Sequence, residues 1–240
     1  MKHLGIIFAG GTGQRMNAGA MPKQFLELHG KPILIYTLEK FQRHPKIDGI
    51  ILVCLDSWID YCKELLDRFH ISKVMKIVAG GQSGQESIFN GLQTAYSMID
   101  ENCVVLIHDG VRPLINEKTI TDNISTVIQK GSAITVAPAI ETIVVKNSEG
   151  VLGDILDRSQ CQVAKAPQSF YLSDIYNAHL KAREENRFDF IDSASLMKYY
   201  NCRLYTVEGP SENIKITTPA DFYIFRAILD ARENSQIMGL

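Results

Sequence analysis

The chain has 240 residues, 45% of them hydrophobic and 22% charged, and a formal net charge of -2. This is ordinary composition for a folded globular protein, and it gives no bulk electrostatic case for nucleic-acid or membrane-surface binding. No apolar run approaches the roughly 18–20 residues of a membrane helix, and no signal-peptide pattern opens the chain. The five cysteines are scattered without a CxxC pair, which argues against a disulfide framework or a zinc site. A cytoplasmic protein is expected.

Strand-like and helix-like segments alternate along the chain. Leu4–Phe8 reads as a buried strand and runs directly into a glycine-rich turn. A helix is predicted over Pro32–Arg43, with Ile33, Leu34, Thr37, Leu38 and Phe41 near one face. Gly49–Cys54 is a second strand, and a helix carrying Tyr61, Leu65, Leu66 and Phe69 follows. Val74–Val78, Val104–Ile107 and Ser132–Ala137 are further strands, separated by helices over Gln85–Met98 and Lys118–Gln129. Continuous apolar strands between amphipathic helices predict an α/β fold: a Rossmann-like, mostly parallel sheet flanked by helices on both faces.

The rhythm changes after Pro138. Thr142–Lys146 and Gly150–Leu156 flank a polar turn and predict a β-arm or hairpin. Helices resume over Leu172–Glu184 and Asp192–Tyr200, Arg203–Val207 reads as a late strand, and Thr218–Glu233 as a closing helix with Pro219 in its first turn. The expected organisation is one domain, 1–240, with the arm embedded at 139–160.

Four clusters carry chemistry. In the first, Gly10, Gly11 and Gly13 follow the first strand, with Arg15 and Lys23 close behind. Glycines let backbone N–H groups approach a phosphate chain, and the cations suit its charge. The spacing is neither GxxxxGK[ST] nor GxGxxG, and a plain turn is equally compatible with the glycines alone. The second is His108-Asp109-Gly110-Val111-Arg112-Pro113 at the end of a strand. Ligands of open α/β sheets bind there, and Asp109 could hold Mg²⁺ or simply cap a turn. His108 reads as a packed residue rather than a general base. In the third, Gly81, Gln82 and Ser87 could meet a pyrimidine edge, or make a turn and a helix cap. The fourth is the segment around Lys215, between apolar residues ahead of the last helix.

In order, the segments AGGTGQRM, PKQFLEL, GKPIL, AGG, SIFNGL, HDGVRP, LDRS, APQSF and ENIKITTPAD resemble the cytidylyltransferases that act on methylerythritol 4-phosphate or ribitol 5-phosphate. The resemblance implies transfer of CMP from CTP to a polyol phosphate, with Mg²⁺ as cofactor and a homodimer whose arms exchange. It assigns Ala9, Gly10, Gly11, Thr12 and Gly13 to the triphosphate, and Gly81, Gln82 and Ser87 to the cytosine. Arg15, Lys23, Arg158 and Lys215 take catalytic roles, with Lys23 also holding the nucleotide. Asp109 is the metal position, and Asp109, Arg112, Thr142, Arg158 and Lys215 meet the acceptor, Thr142 and Arg158 from the neighbouring subunit.

Three departures bear on the acceptor. The methylerythritol enzymes usually carry Thr-Pro-Gln where this chain has Ala166-Pro167-Gln168, and Thr-Asp where it has Ile191-Asp192. Val111 resembles the ribitol-phosphate branch. The lost hydroxyls favour ribitol 5-phosphate, because a site built to bond a hydroxyl discriminates strongly. The alternatives are a methylerythritol phosphate acceptor, another sugar phosphate, or a non-catalytic nucleotide-binding module. The joint presence of Arg15, Lys23, Asp109, Arg158 and Lys215 speaks against the last of these.

Overall fold

The computed structural model describes residues 1–10, 21–99 and 102–238, with side chains to residue 235. Gly11, Thr12, Gly13 and Arg15 lie outside the described residues. Lys2–Ala9 forms β1, and Glu27–Leu28 (β2) and Lys31–Pro32 (β3) make a short hairpin. Then come α1 (Ile33–Arg43), β4 (Gly49–Cys54), α2 (Ile59–Arg68), β5 (Val74–Ala79), α3 (Gly84–Met98), β6 (Cys103–Asp109) and α4 (Glu117–Lys130). The second half contains β7 (Ser132–Pro138), β8 (Val144–Lys146), β9 (Leu152–Ile155), β10 (Gln162–Tyr171), α5 (Leu172–Glu184), α6 (Ser193–Tyr199), β11 (Thr206–Glu208) and α7 (Pro219–Met238).

Seven strands form one sheet in the order β11-β7-β10-β6-β1-β4-β5. Every residue of β4 and β6 is buried, as strands covered on both faces require. Successive residues point to opposite faces. Ile50, Leu52, Val104 and Leu106 pack with Leu34, Leu38 and Phe41 of α1 and Ile120 and Ile124 of α4. Ile51, Val53, Val105 and Ile107 pack with Ile88 and Leu92 of α3 and Ile175 of α5. Fully burying each such side chain is worth about 1.5–3 kcal/mol, so a one-residue slip of register would be costly.

The helix starts follow from local chemistry. Ser83 Oγ accepts from Glu86 N–H to open α3, and Asn116 Oδ1 accepts from Thr119 N–H to open α4. Gly131, at φ 90°, closes α4 in the left-handed conformation that glycine adopts without penalty.

Two expectations need correction. The late strand begins at Thr206 rather than Arg203. More consequentially, Gln162–Tyr171 was not expected as a strand, yet β10 sits between β6 and β7 and pairs antiparallel with both. Proline inside a segment argues against a central strand. The fold accommodates Pro167 by breaking the β10–β7 register between Ala164 and Gln168. The carbonyls at this bulge are still satisfied: Asn213 Nδ2 donates to Ala166 O at 3.2 Å and Thr135 Oγ1 to Pro167 O at 2.7 Å.

The arm forms as expected: β8 and β9 pair as a separate antiparallel ribbon, exposed along its length. Among the described residues no helix is long and apolar enough to cross a membrane.

Candidate active site

The sheet's strand order reverses at β1. The chain moves outward through β4 to β5 and returns to β6 on the other side of β1. Such a reversal leaves a crevice beyond the carboxyl ends of the two strands. A cleft of about 470 Å³ lies there, lined by Gly10, Lys23, Gly81, Gln82, Asp109 and Lys215 among others. A second cavity of about 290 Å³ adjoins it and shares Phe8, Gly84, Asp109 and Lys215 with it.

The first wall is built from two glycine turns and one serine. A Cβ on Gly10 or Gly80 would meet Ser87 Oγ at 3.2 or 3.0 Å, so the two turns close on that hydroxyl. Gly81 N–H donates to Ser87 Oγ at 3.0 Å, and Ser87 Oγ donates to Ser83 O at 2.9 Å. Gln82 N–H donates to Glu86 Oε2 at 2.8 Å. Ser87 lines the cleft as expected, but its single proton is committed to the loop. It shapes the wall rather than donating to a ligand.

Lys23 reaches the cleft because its neighbours are anchored. Gln24 is buried, and its Nε2 donates to Ala9 O at 2.6 Å, tying the segment to the exit of β1. Phe25 stacks on Trp58 with ring centroids 4.8 Å apart.

Asp109 joins the two cavities. Its Oδ1 lies 2.7 Å from Lys215 Nζ and its Oδ2 accepts from Arg112 Nε at 2.7 Å. Burial alone would raise the Asp109 pKa, but the charges of Lys215 and Arg112 outweigh it and hold the carboxyl at about 2. Arg112 Nη1 also donates to Asn213 O at 3.0 Å, stitching the end of β6 to the segment that carries Lys215. Lys215 remains partly exposed, at 43% of its side chain, so its ammonium still faces the cleft. His108 is fully buried, its pKa is lowered to about 4 by that burial, and its Nε2 pairs with Arg112 O at 3.1 Å. It is the packed prop that the sequence suggested.

Asp109 is a carboxylate at this site that could hold a divalent cation. It is ionised, and a carboxylate offers about four lone-pair sites of which two are taken here. Mg²⁺ is commonly bound by one or two carboxylates plus substrate phosphates and water. Among the described residues the group of three potential metal ligands is elsewhere, at His29, Asp230 and Glu233, so Asp109 would act without a protein cage.

The fold thus brings Ala9, Gly10, Lys23, Gly81, Gln82, Ser87, Asp109 and Lys215 to one cleft, with Arg112 on the adjoining cavity. It does not bring Thr142 and Arg158 there. Both are exposed on the arm, where Arg158 Nη1 donates to Ile140 O at 2.8 Å, and they line neither cavity. Sequence reasoning gave no role to Gln24, Lys165, Asp192 or Asn213, although Gln24, Asp192 and Asn213 fall within segments it singled out. A signal for two of these was that Lys165 and Asp192 directly adjoin the departures at Ala166 and Ile191.

Residues 4–231 match the family described as 2-C-methyl-D-erythritol 4-phosphate cytidylyltransferase. A ribitol-5-phosphate cytidylyltransferase of Streptococcus agalactiae serotype V is 52% identical over 240 residues, covering 100% of both chains. A 2-C-methyl-D-erythritol 4-phosphate cytidylyltransferase of Clostridium botulinum (strain Loch Maree / Type A3) is 39% identical over 226 residues, 94% of this chain and 96% of that one. The solved 4-diphosphocytidyl-2C-methyl-D-erythritol synthase of Anaerococcus prevotii has a TM-score of 0.82 at 27% identity, covering 95% of this chain and 96% of that one.

Proposed function

The chain belongs to the 2-C-methyl-D-erythritol 4-phosphate cytidylyltransferase family, and from that premise we propose that it transfers CMP from CTP to ribitol 5-phosphate, giving CDP-ribitol and pyrophosphate. It is a nucleotidyltransferase. One observation carries the acceptor: identity over the whole chain is 52% to the ribitol-phosphate relative and 39% to the methylerythritol-phosphate relative. Ala166 and Ile191, which replace hydroxyl residues expected of a methylerythritol enzyme, agree with it; both line the second cavity.

An oxygen of the acceptor's phosphate attacks the α-phosphorus of CTP. A new P–O bond forms, the bond to the bridging oxygen breaks, and pyrophosphate leaves with that electron pair. The nucleophile is already an anion, so no strong general base is needed. The barrier is the approach of one anion to another, and fixed positive charge lowers it. We assign the triphosphate to the larger cleft, with Ala9, Gly10, Gly11, Thr12 and Gly13 as its cradle and Lys23 and Arg15 as its cations. Gly81 and Gln82 present the cytosine-facing wall, held in place by Ser87. Lys215 and Arg112 sit where the acceptor's phosphate would enter. Mg²⁺ would be held by Asp109 and, when bound, would neutralise charge developing on the phosphates.

A second copy of the chain is the proposed partner. The arm exposes Ile140, Val151, Leu152 and Ile155 at 70, 58, 60 and 65%. An isolated two-stranded ribbon is marginal in water, and such an apolar surface suits an interface. Packing against a second copy would let Thr142 and Arg158 complete the neighbour's acceptor site. The cytoplasm, where CTP is made and cysteines stay reduced, is the proposed location.

The test is an acceptor panel: purified protein, CTP and Mg²⁺, with each polyol phosphate in turn and pyrophosphate release as the readout. Ribitol 5-phosphate is expected to give the highest kcat/KM, and a clear preference for methylerythritol phosphate would overturn the assignment.

A further inference from the structure

The second cavity contains a cation that the reaction chemistry above does not use. Lys165 lines it together with Arg112, Gln168 and Asp192. Its ammonium donates to Ser211 O at 3.0 Å and, more weakly, to Asn213 O at 3.4 Å. An ammonium has three donors, so at least one remains for a ligand. Among the described residues no carboxylate lies within ion-pair distance of it, whereas Asp109 takes both Arg112 and Lys215. Burial and the nearby charge of Arg112 both lower its pKa, with Glu212 opposing.

Its placement is built. Lys165 stands in the register break of β10 between Ala164 and Gln168, and a bulge beside a site re-aims side chains out of the ladder's alternation. The break is held by a buried polar chain: Ser169 Oγ donates to Asn123 Oδ1 at 2.8 Å, Asn123 Nδ2 to Thr135 Oγ1 at 2.9 Å, and Thr135 Oγ1 to Pro167 O at 2.7 Å. Asp192, which also lines the cavity, is equally fixed, accepting from Gln168 Nε2 at 2.8 Å and from Ser195 N–H at 2.8 Å.

Asp109 and Lys215 belong to both cavities, whereas Lys165 belongs only to the second. A reacting phosphate at the junction would leave the acceptor's hydroxyl chain extending towards Lys165. We propose that Lys165 donates to hydroxyls of that chain and sets acceptor selectivity, a role that rests on assigning this cavity to the acceptor. Ribitol 5-phosphate has one more backbone carbon and one more hydroxyl than methylerythritol phosphate. A donor that lines only this second cavity therefore favours the longer, linear polyol, and takes over where Ala166 and Ile191 offer no hydroxyl.

The experiment is steady-state kinetics of Lys165→Met and Lys165→Arg in the full chain, with CTP and Mg²⁺, after thermal unfolding has verified folding; Lys165→Gln replaces Lys165→Met if that variant does not fold. Loss of a hydrogen bond to a charged group predicts that kcat/KM for ribitol 5-phosphate falls about 10- to 100-fold in Lys165→Met. The loss should appear in the acceptor's KM, while the KM for CTP stays within about threefold and Lys165→Arg recovers part of it. A raised KM for CTP would mean that Lys165 only tethers the segment carrying Lys215, and would overturn the proposal. So would unchanged acceptor kinetics. A wild-type chain inactive with every polyol phosphate would instead overturn the functional reading on which the proposal rests.

Discussion

Lys215 Nζ lies 2.7 Å from Asp109 Oδ1 and thereby joins the end of β6 to the segment leading into α7. Arg112 takes the other carboxylate oxygen. One buried anion therefore fixes two cations at the junction of the two cavities, leaving a positive excess for a substrate's phosphate.

Asp109→Asn should leave those cations facing each other without their shared counter-charge. Turnover with CTP and ribitol 5-phosphate is expected to fall at least ~100-fold, the scale of losing a preorganised charge arrangement. Thermal stability should fall too, because a buried ion cluster that loses one partner keeps the desolvation cost of the rest. Near-normal turnover would remove Asp109 from the site.

Stability should decline on acidification in two stages. His108 and His179 are buried, and burial lowers each pKa to about 4, against about 6.5 in an unfolded chain. The unfolded chain binds protons first, so their contribution is full above about 6.5 and is lost as pH falls towards about 4. Asp109, held at about 2, extends the decline: its contribution is present above about 3.9 and lost as pH falls through about 2. Denaturant titrations from pH 7 to pH 4 should show the first stage. His179→Phe, whose ring would still pack near Phe89, should make it shallower; an unchanged slope would exclude His179.

Ser87→Ala leaves Gly81 N–H without its acceptor and loosens the contact of the Gly10 and Gly80 turns. Such a hydrogen bond is worth about 1 kcal/mol, plus the cost of an unsatisfied donor. The KM for CTP should rise about 10-fold, with the KM for the acceptor little changed. Gly81→Ala should act in the same direction, because its Cβ would collide with the Glu86 side chain. A variant affecting only the acceptor's KM would contradict this assignment.

Lys23→Ala is expected to fold normally and lose at least ~100-fold in turnover. If the arm completes a neighbour's site, mixing Lys23→Ala with Arg158→Ala subunits should restore activity, because one of the two sites in a mixed dimer then carries neither lesion. Subunit exchange verified by mass, with no recovery of activity, would place Arg158 outside the site.

Much of this was legible locally. Buried strands such as Gly49–Cys54 and Cys103–Asp109 announce themselves by unbroken apolar runs, and the arm by its polar turn between extended segments. The placement of β10 was not, because Pro167 and the polar residues around it break every period that marks a central strand. Its stability comes from distant partners, Thr135 and Asn213, which satisfy the carbonyls that the bulge frees. Ser87 shows the same limit: the sequence offers a hydroxyl near a glycine turn, and only the folded loop reveals that its proton is already spent on Ser83.

The α/β alternation, the glycine turns at strand ends and the supply of cations can be read along the chain, because each depends on residues close in sequence. Which charges meet is set by long-range folding. Asp109, Arg112, Lys165 and Lys215 come together around two cavities because a central antiparallel strand and the segment before α7 fold onto the end of β6. Contacts between residues so far apart along the chain leave no period in it.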